Sequence, residues 1–215
     1  MVTGYRTFKE AGVKEIVIKK SRFIGYGFAV SSEEEANQYI ERIRKEHWNA
    51  THNCFAYVIG DRDQIQKQSD DGEPSGTAGK PILEVIKAKE LHNVLIIVTR
   101  YFGGIMLGAG GLIRAYSDGA VAAIEASSAV LKQLHSVVEV EVDYTWLGKL
   151  ENELRNRHVL TGETQFADNV KLSCLPVVAE TDAFVAWMTD VTQGQGKIEV
   201  VETKWIEHKI EGASQ

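Results

Sequence analysis

A chain of 215 residues with 44% hydrophobic content can bury a sizeable core, and its length suits one large or two small domains. No run of 18 residues is apolar and the opening MVTGYRTFKEAGVKE holds no apolar signal region, so a membrane-spanning helical protein is excluded and a cytoplasmic, non-exported one is expected. The net charge of −6 hides an asymmetry: residues 1–135 carry 17 basic against 16 acidic side chains, residues 136–215 carry 7 against 14, so contact with nucleic acid is expected only of the first part.

Ile16–Ile18 and Phe23–Val30 read as strands, with Lys19, Lys20 and Arg22 at their junction as a solvated edge that discourages strand pairing. Ser32 and Glu35 form a capping box for a helix that keeps Ala36, Ile40, Ile43 and His47 on one face. Asn53–Ile59 is a strand, Gly60–Asp63 a hairpin turn and Gln64–Gln68 a short polar return strand. Ser69–Pro81, SDDGEPSGTAGKP, packs three carboxylates, three glycines and two prolines into thirteen residues and can only be a shaped loop. Pro81 then suits the first turn of a helix, with Ile82, Val85, Ile86 and Lys89 at helical spacing. Val94–Thr99 is a continuous apolar run, as in a central strand covered on both faces, and it delivers Arg100 to the sheet edge. Ala109 to about Gln133 reads as a long helix whose Gly111, Ala115, Gly119, Ala120 and Ala123 let neighbouring backbone approach closely.

Beyond residue 135 the elements read as a strand at Val137–Tyr144, a helix with Leu147, Leu150 and Leu154 on one face, strands at Val159–Phe166 and Val170–Val178, a helix from Asp182 with Gly194 as its cap, and a last strand at Lys197–Trp205. That βαββαβ order is ferredoxin-like. The fold class is therefore α+β in two domains, 1–135 and 136–215. Cys54 and Cys174 lie far apart within strand-like runs and read as buried free thiols rather than a disulfide.

The chemistry concentrates in the loop and in Thr99–Gly104, TRYFGG. Asp70, Asp71 and Glu73 can hold a hard cation such as Mg²⁺, or can cap local amides in a structural turn. Gly79-Lys80 is no Walker A loop, because Pro74 stands where its first glycine belongs and Pro81 where its hydroxyl residue belongs. The glycines from Gly108 fail as a dinucleotide fingerprint because Ile113 occupies the third glycine position. Arg100 with Tyr101 and Phe102 can present a guanidinium to phosphate and rings to bases, ahead of Gly103 and Gly104, or the rings can be core. Lys80 and Arg114 join Arg100 in one basic surface if the strand and helix ends converge. His47, His52 and Cys54 invite a metal or nucleophile assignment, but zinc needs a fourth ligand and the only other cysteine lies in the second domain, and a buried strand cysteine beside a hydrogen-bonded histidine is the favoured reading.

KKSRFI at Lys19–Ile24, HNCFAY at His52–Tyr57, DDGEPSGTAGKPIL at Asp70–Leu83 and VTRYFGGIMLGAGGLIRAY at Val98–Tyr116 together resemble the IMPACT/YigZ family, in particular its bacterial, YvyE-type members, with no departure within the signature. The resemblance implies a first domain with the fold of the second domain of ribosomal protein S five and a tail similar to the fifth domain of elongation factor G. It further implies a link to translation, because eukaryotic members regulate initiation by competing for the activator of a starvation-responsive kinase. Bacterial members and this chain lack the extra amino-terminal domain of the eukaryotic proteins, so the kinase role is not carried over, and fold alone does not fix function. The expected function is a translation-associated regulator that binds RNA or a ribosome-linked partner without catalysis or a cofactor of its own. The alternatives are a metal-assisted enzyme or phosphate binder built on the carboxylate loop, with Lys80 facing the anion, and a protein-interaction module free of nucleic acid.

Overall fold

The computed structural model describes residues 3–60 and 62–210, so Asp61 of the expected Gly60–Asp63 turn lies outside the described residues. The chain divides into two compact units, Gly4–Leu131 and Lys132–Glu207.

The amino-terminal unit is built on a five-stranded antiparallel sheet, preceded in the chain by β1 (Gly4–Phe8). Its strands are β2 (Gly12–Ile18), β3 (Ser21–Ala29), β4 (His52–Ile59), β5 (Ile65–Ser69) and β6 (Val94–Tyr101), in the order β2-β3-β6-β4-β5. The apolar run Val94–Val98 thus becomes the central strand, buried on both faces. One face carries Phe28, Phe55, Tyr57, Leu95 and Ile97 and is covered by α1 (Glu33–Glu46) through Ala36, Ile40 and Ile43. The other carries Phe23, Cys54, Ala56, Ile96 and Val98 and is covered by α2 (Gly79–Ala88) and α3 (Ala109–Ala126).

Local chemistry explains these boundaries. Ser32 accepts from the Glu35 amide at 3.2 Å, while the Glu35 carboxylate reaches one residue further back than a standard capping box, to the Ser31 amide at 2.8 Å and hydroxyl at 2.9 Å. β2 and β3 are joined by the two-residue turn Lys19-Lys20, both at positive φ (45° and 66°), which matches the twist of a tight hairpin. Helix α3 packs so closely on β3 that a Cβ at Gly25 would lie 2.2 Å from the Gly119 carbonyl oxygen.

The helix expected to run to about Gln133 ends instead at Ala126, and the next strand is β7 (Ala129–Val142). Val130, Leu131 and Leu134 extend the apolar spacing of α3, which is why periodicity overran. Ser127 stops the helix by donating its hydroxyl to the Ala123 carbonyl at 2.8 Å, and Ser128 follows at φ 49°. Pro81 is the third helical residue of α2, after Gly79 and Lys80.

The carboxy-terminal unit runs β7, α4 (Leu147–Asn156), β8 (Leu160–Phe166), β9 (Val170–Leu175), α5 (Thr181–Val191) and β10 (Lys197–Lys209). β9 lies between β7 and β8, and β10 pairs with β7. Val138, Val140, Leu150, Leu154, Leu172, Phe184 and Met188 form its core. Gly194, at φ 72°, closes α5 by donating its amide to the Thr189 carbonyl at 2.9 Å. Among the described residues no helix is long and apolar enough to cross a membrane.

Two glycines separate close approach from simple flexibility. Gly25→Ala forces α3 off the sheet and is expected to cost about 3 kcal/mol. Gly148→Ala, on an exposed turn of α4 with open space around it, is expected to stabilise by about 0.5 kcal/mol. Urea denaturation of both variants measures the contrast.

Candidate functional site

The ends of β3, β4, β5 and β6 meet at one end of the amino-terminal unit, because Arg22 pairs with Tyr101, His52 with Arg100 and Phe55 with Ser69. The loop that follows β5 closes over that end. Its geometry comes from carboxylates that bind the chain itself.

Asp70 accepts the amides of Ala78 (3.1 Å) and Gly79 (2.8 Å) on one oxygen and that of Gly76 (2.8 Å) on the other. The start of α2, where free amides would attract an anion, is therefore filled by the loop's own carboxylate. Asp71, at φ 45°, accepts the Asn53 amide at 2.6 Å and the Arg44 guanidinium at 3.2 Å, linking β4 to α1. Its carbonyl accepts from His52 Nδ1 at 2.8 Å, so that ring nitrogen carries the proton. Gly72 follows at φ 90°, a backbone conformation that only glycine adopts without strain.

Glu73 points inward. It is 8% exposed, and one of its oxygens accepts from Arg100 Nη1 at 2.6 Å and from the Tyr116 hydroxyl at 2.7 Å, while the other lies 3.8 Å from His52 Nε2. Arg100 is 6% exposed, its guanidinium sits 5.5 Å from the rings of both Phe23 and Phe102, and its Nε has no hydrogen-bond partner. The expectation that Arg100 meets phosphate at the surface is corrected: it is the buried counter-ion of Glu73, because a carboxylate that deep needs a cation beside it.

The other expected residues separate into two groups. Tyr101 is half-buried, with Arg22 over its ring at 5.1 Å. Its hydroxyl completes a chain running from the Tyr26 hydroxyl to His47 Nε2 (2.5 Å), from His47 Nδ1 to Tyr101 (2.7 Å) and from Tyr101 to Asn49 (3.3 Å). Phe102, Gly104, Lys80 and Arg114 are exposed, although the Arg114 Nε also donates to the Gly110 carbonyl at 3.3 Å. Gly103 lies so close to the Lys19-Lys20 turn that a Cβ there would be 2.1 Å from the Lys20 carbonyl group. Lys19 and Lys20 thus stand exposed beside Gly103, where Arg100 was expected. Trp48 is the residue that sequence reading missed, and its place just past the end of α1, next to a polar Asn-Ala-Thr segment, was the available signal.

No group of three or more His, Cys, Asp or Glu among the described residues is arranged to hold a metal ion. Asp70, Asp71 and Glu73 point toward separate protein donors, the arrangement of carboxylates that cap local groups. Cys54 donates its thiol to the Asp70 carbonyl at 3.0 Å, and burial pushes its pKa well up, opposite in direction to the shift of an activated cysteine. Burial pushes Cys174 up to about 12 and Tyr26 up to about 12, and raises Tyr57 and Tyr116 further.

Residues 19–124 match the model of the Impact N-terminal domain, and residues 140–195 match a domain of unknown function (DUF1949). The chain is 50% identical to IMPACT family member YvyE of Bacillus subtilis over 98% of its own length and 97% of that protein's. It is 33% identical to IMPACT family member YigZ of Escherichia coli, covering 86% of this chain and 92% of that one. Protein IMPACT of Danio rerio is 31% identical over 44% of this chain and 31% of its own length. A solved structure described as the crystal structure of a hypothetical protein aligns with a TM-score of 0.60 at 30% identity, covering 94% of this chain and 99% of that one. The chain belongs to the IMPACT family.

Two outcomes follow from the buried groups. Glu73→Ala leaves Arg100 buried and unpaired and is expected to cost about 4 kcal/mol, with much of the loss recovered in Glu73→Ala/Arg100→Met; denaturant melts of the single and double variants measure this coupling. Because Cys54, Cys174, Tyr26, Tyr57 and Tyr116 all have pKa values raised in the folded state, stability is complete below the unfolded thiol value of 9.0. Above it the unfolded chain ionises first, so stability falls with rising pH, and the native thiols stay inert to alkylation until unfolding. Alkaline urea melts and thiol labelling check both.

Proposed function

We propose that this IMPACT-family protein is a translation-associated regulatory protein that binds RNA, or a ribosome-linked partner, through the end of the amino-terminal unit. One observation carries the reading. Lys19, Lys20, Lys45, Lys80 and Arg114 are exposed on the elements that end there, and none has an acidic partner among the described residues. Cations left without acids around open rings favour a polyanion with planar groups. A relation of the two units to the second domain of ribosomal protein S five and the fifth domain of elongation factor G belongs to the same proposal. For the second unit it is supported by the βαββαβ order and by the placing of β9 and β10 about β7, which are ferredoxin-like. The reading as an enzyme or phosphate binder draws less support, because the loop carboxylates already accept from the protein's own donors.

Sedimentation of the intact protein with ribosomes and with structured RNA, at about 50 and about 200 mM salt, tests the proposal. The expected result is binding at low salt that is lost at high salt, and that is weakened about ten-fold or more by Lys19→Glu with Lys20→Glu. A partner retained after nuclease and high salt overturns it in favour of a protein-interaction module. Stabilisation by a phosphorylated metabolite with Mg²⁺, abolished in Asp71→Asn, overturns it in favour of the ligand reading.

A further inference from the structure

Trp48 is 82% exposed and Phe102 49% exposed, in a unit whose other large rings are held in the core or in hydrogen-bonded positions. Met106, at 85%, lies open in the segment that follows Phe102. Large exposed apolar side chains grouped in one region, rather than scattered singly, mark interaction sites. Nor are they loosely attached. The Thr51 amide donates to the Arg100 carbonyl at 2.8 Å, the Phe102 amide to the Thr51 hydroxyl at 3.0 Å and the Tyr101 hydroxyl to Asn49 at 3.3 Å, which laces the segment after Trp48 to the end of β6. The Phe102 ring is backed by the Arg100 guanidinium at 5.5 Å, and Glu73 fixes that guanidinium in turn. Beside the rings, the packing of Gly103 on Lys20 holds the two-lysine turn, while Gly104 has no atom within 4 Å of a Cβ position and faces open space.

A protein partner that covered these rings with apolar side chains would bury the adjacent lysines without counter-ions. A nucleotide with an unpaired base satisfies both features, because its planar face meets the ring while its phosphate meets the amine. Bases within a duplex are already stacked on each other and offer no face. We infer that Trp48 and Phe102 form a stacking platform for unpaired bases, with Lys19 and Lys20 on the phosphates, so that the ligand class is single-stranded rather than duplex RNA. This inference rests on the RNA-binding reading above and narrows it.

The test is the anisotropy of a labelled oligoadenylate of about ten nucleotides, alone and annealed to oligouridylate, titrated with the intact protein and its variants. The single strand is expected to bind about ten-fold or more tightly than the duplex. Trp48→Ala is expected to weaken that binding about ten-fold or more, and Trp48→Phe less than about three-fold, since a ring remains to stack. Trp48 is exposed, so neither variant disturbs the core, and an unchanged thermal melt verifies this. Equal affinity for single strand and duplex, or an unaltered affinity in Trp48→Ala, overturns the platform and leaves the RNA reading standing. Failure to bind either form overturns the platform, and where ribosomes are bound all the same it points to a protein contact in place of RNA.

Discussion

Taking a carboxylate out of water costs several kcal/mol unless a cation and further donors go with it. At Glu73 those partners are Arg100 from β6 and Tyr116 from α3, so a single buried side chain ties the loop to the central strand and to the helix behind the sheet. Much of what the end of the unit presents follows from this. Arg100 is drawn inward and becomes the support beneath Phe102, and the exposed positive charge passes to Lys19 and Lys20 at the neighbouring turn. The orphaned Arg100 Nε is the residual cost of a guanidinium aimed at Glu73 and wedged between two rings.

The same logic runs through the rest of the loop. A helix start preceded by glycines has the makings of an anion site, and here the anion is Asp70, six to nine residues upstream of the amides it caps. Asp71 performs the corresponding task sideways, joining Asn53 of β4 to Arg44 of α1. Three acidic residues within four positions therefore do three separate structural jobs. The polar length of this loop reflects how many backbone donors must be satisfied where four strands and a helix end together.

The sequence made elements legible where a local signal coincided with the tertiary demand. Ser32 and Glu35 marked the start of α1, and the unbroken run Val94–Val98 marked the central strand. Periodicity misled where apolar spacing continued past a stop, as at Ser127-Ser128, and it gave no sign of β1, a strand of only five residues. The candidate site was legible as a region and not as a set of roles. Composition identified the Asp70–Lys80 loop and Thr99–Gly104, yet which charges face inward depends on contacts 27 and 43 residues apart in the chain, between Glu73 and Arg100 or Tyr116. Trp48 carried no motif at all, and only its exposure, next to a segment bonded to the end of β6, distinguishes it from a packing tryptophan.

The buried pair is most directly tested by the Nε–H proton of Arg100, observed by nuclear magnetic resonance in the intact protein. A guanidinium enclosed by Phe23 and Phe102 and held by Glu73 is predicted to show a resolved Nε–H signal that exchanges with water far more slowly than those of exposed arginines such as Arg62, and to lose that protection in Glu73→Gln. An Arg100 Nε–H that exchanges as fast as those of exposed arginines, and is indifferent to Glu73, would contradict the account.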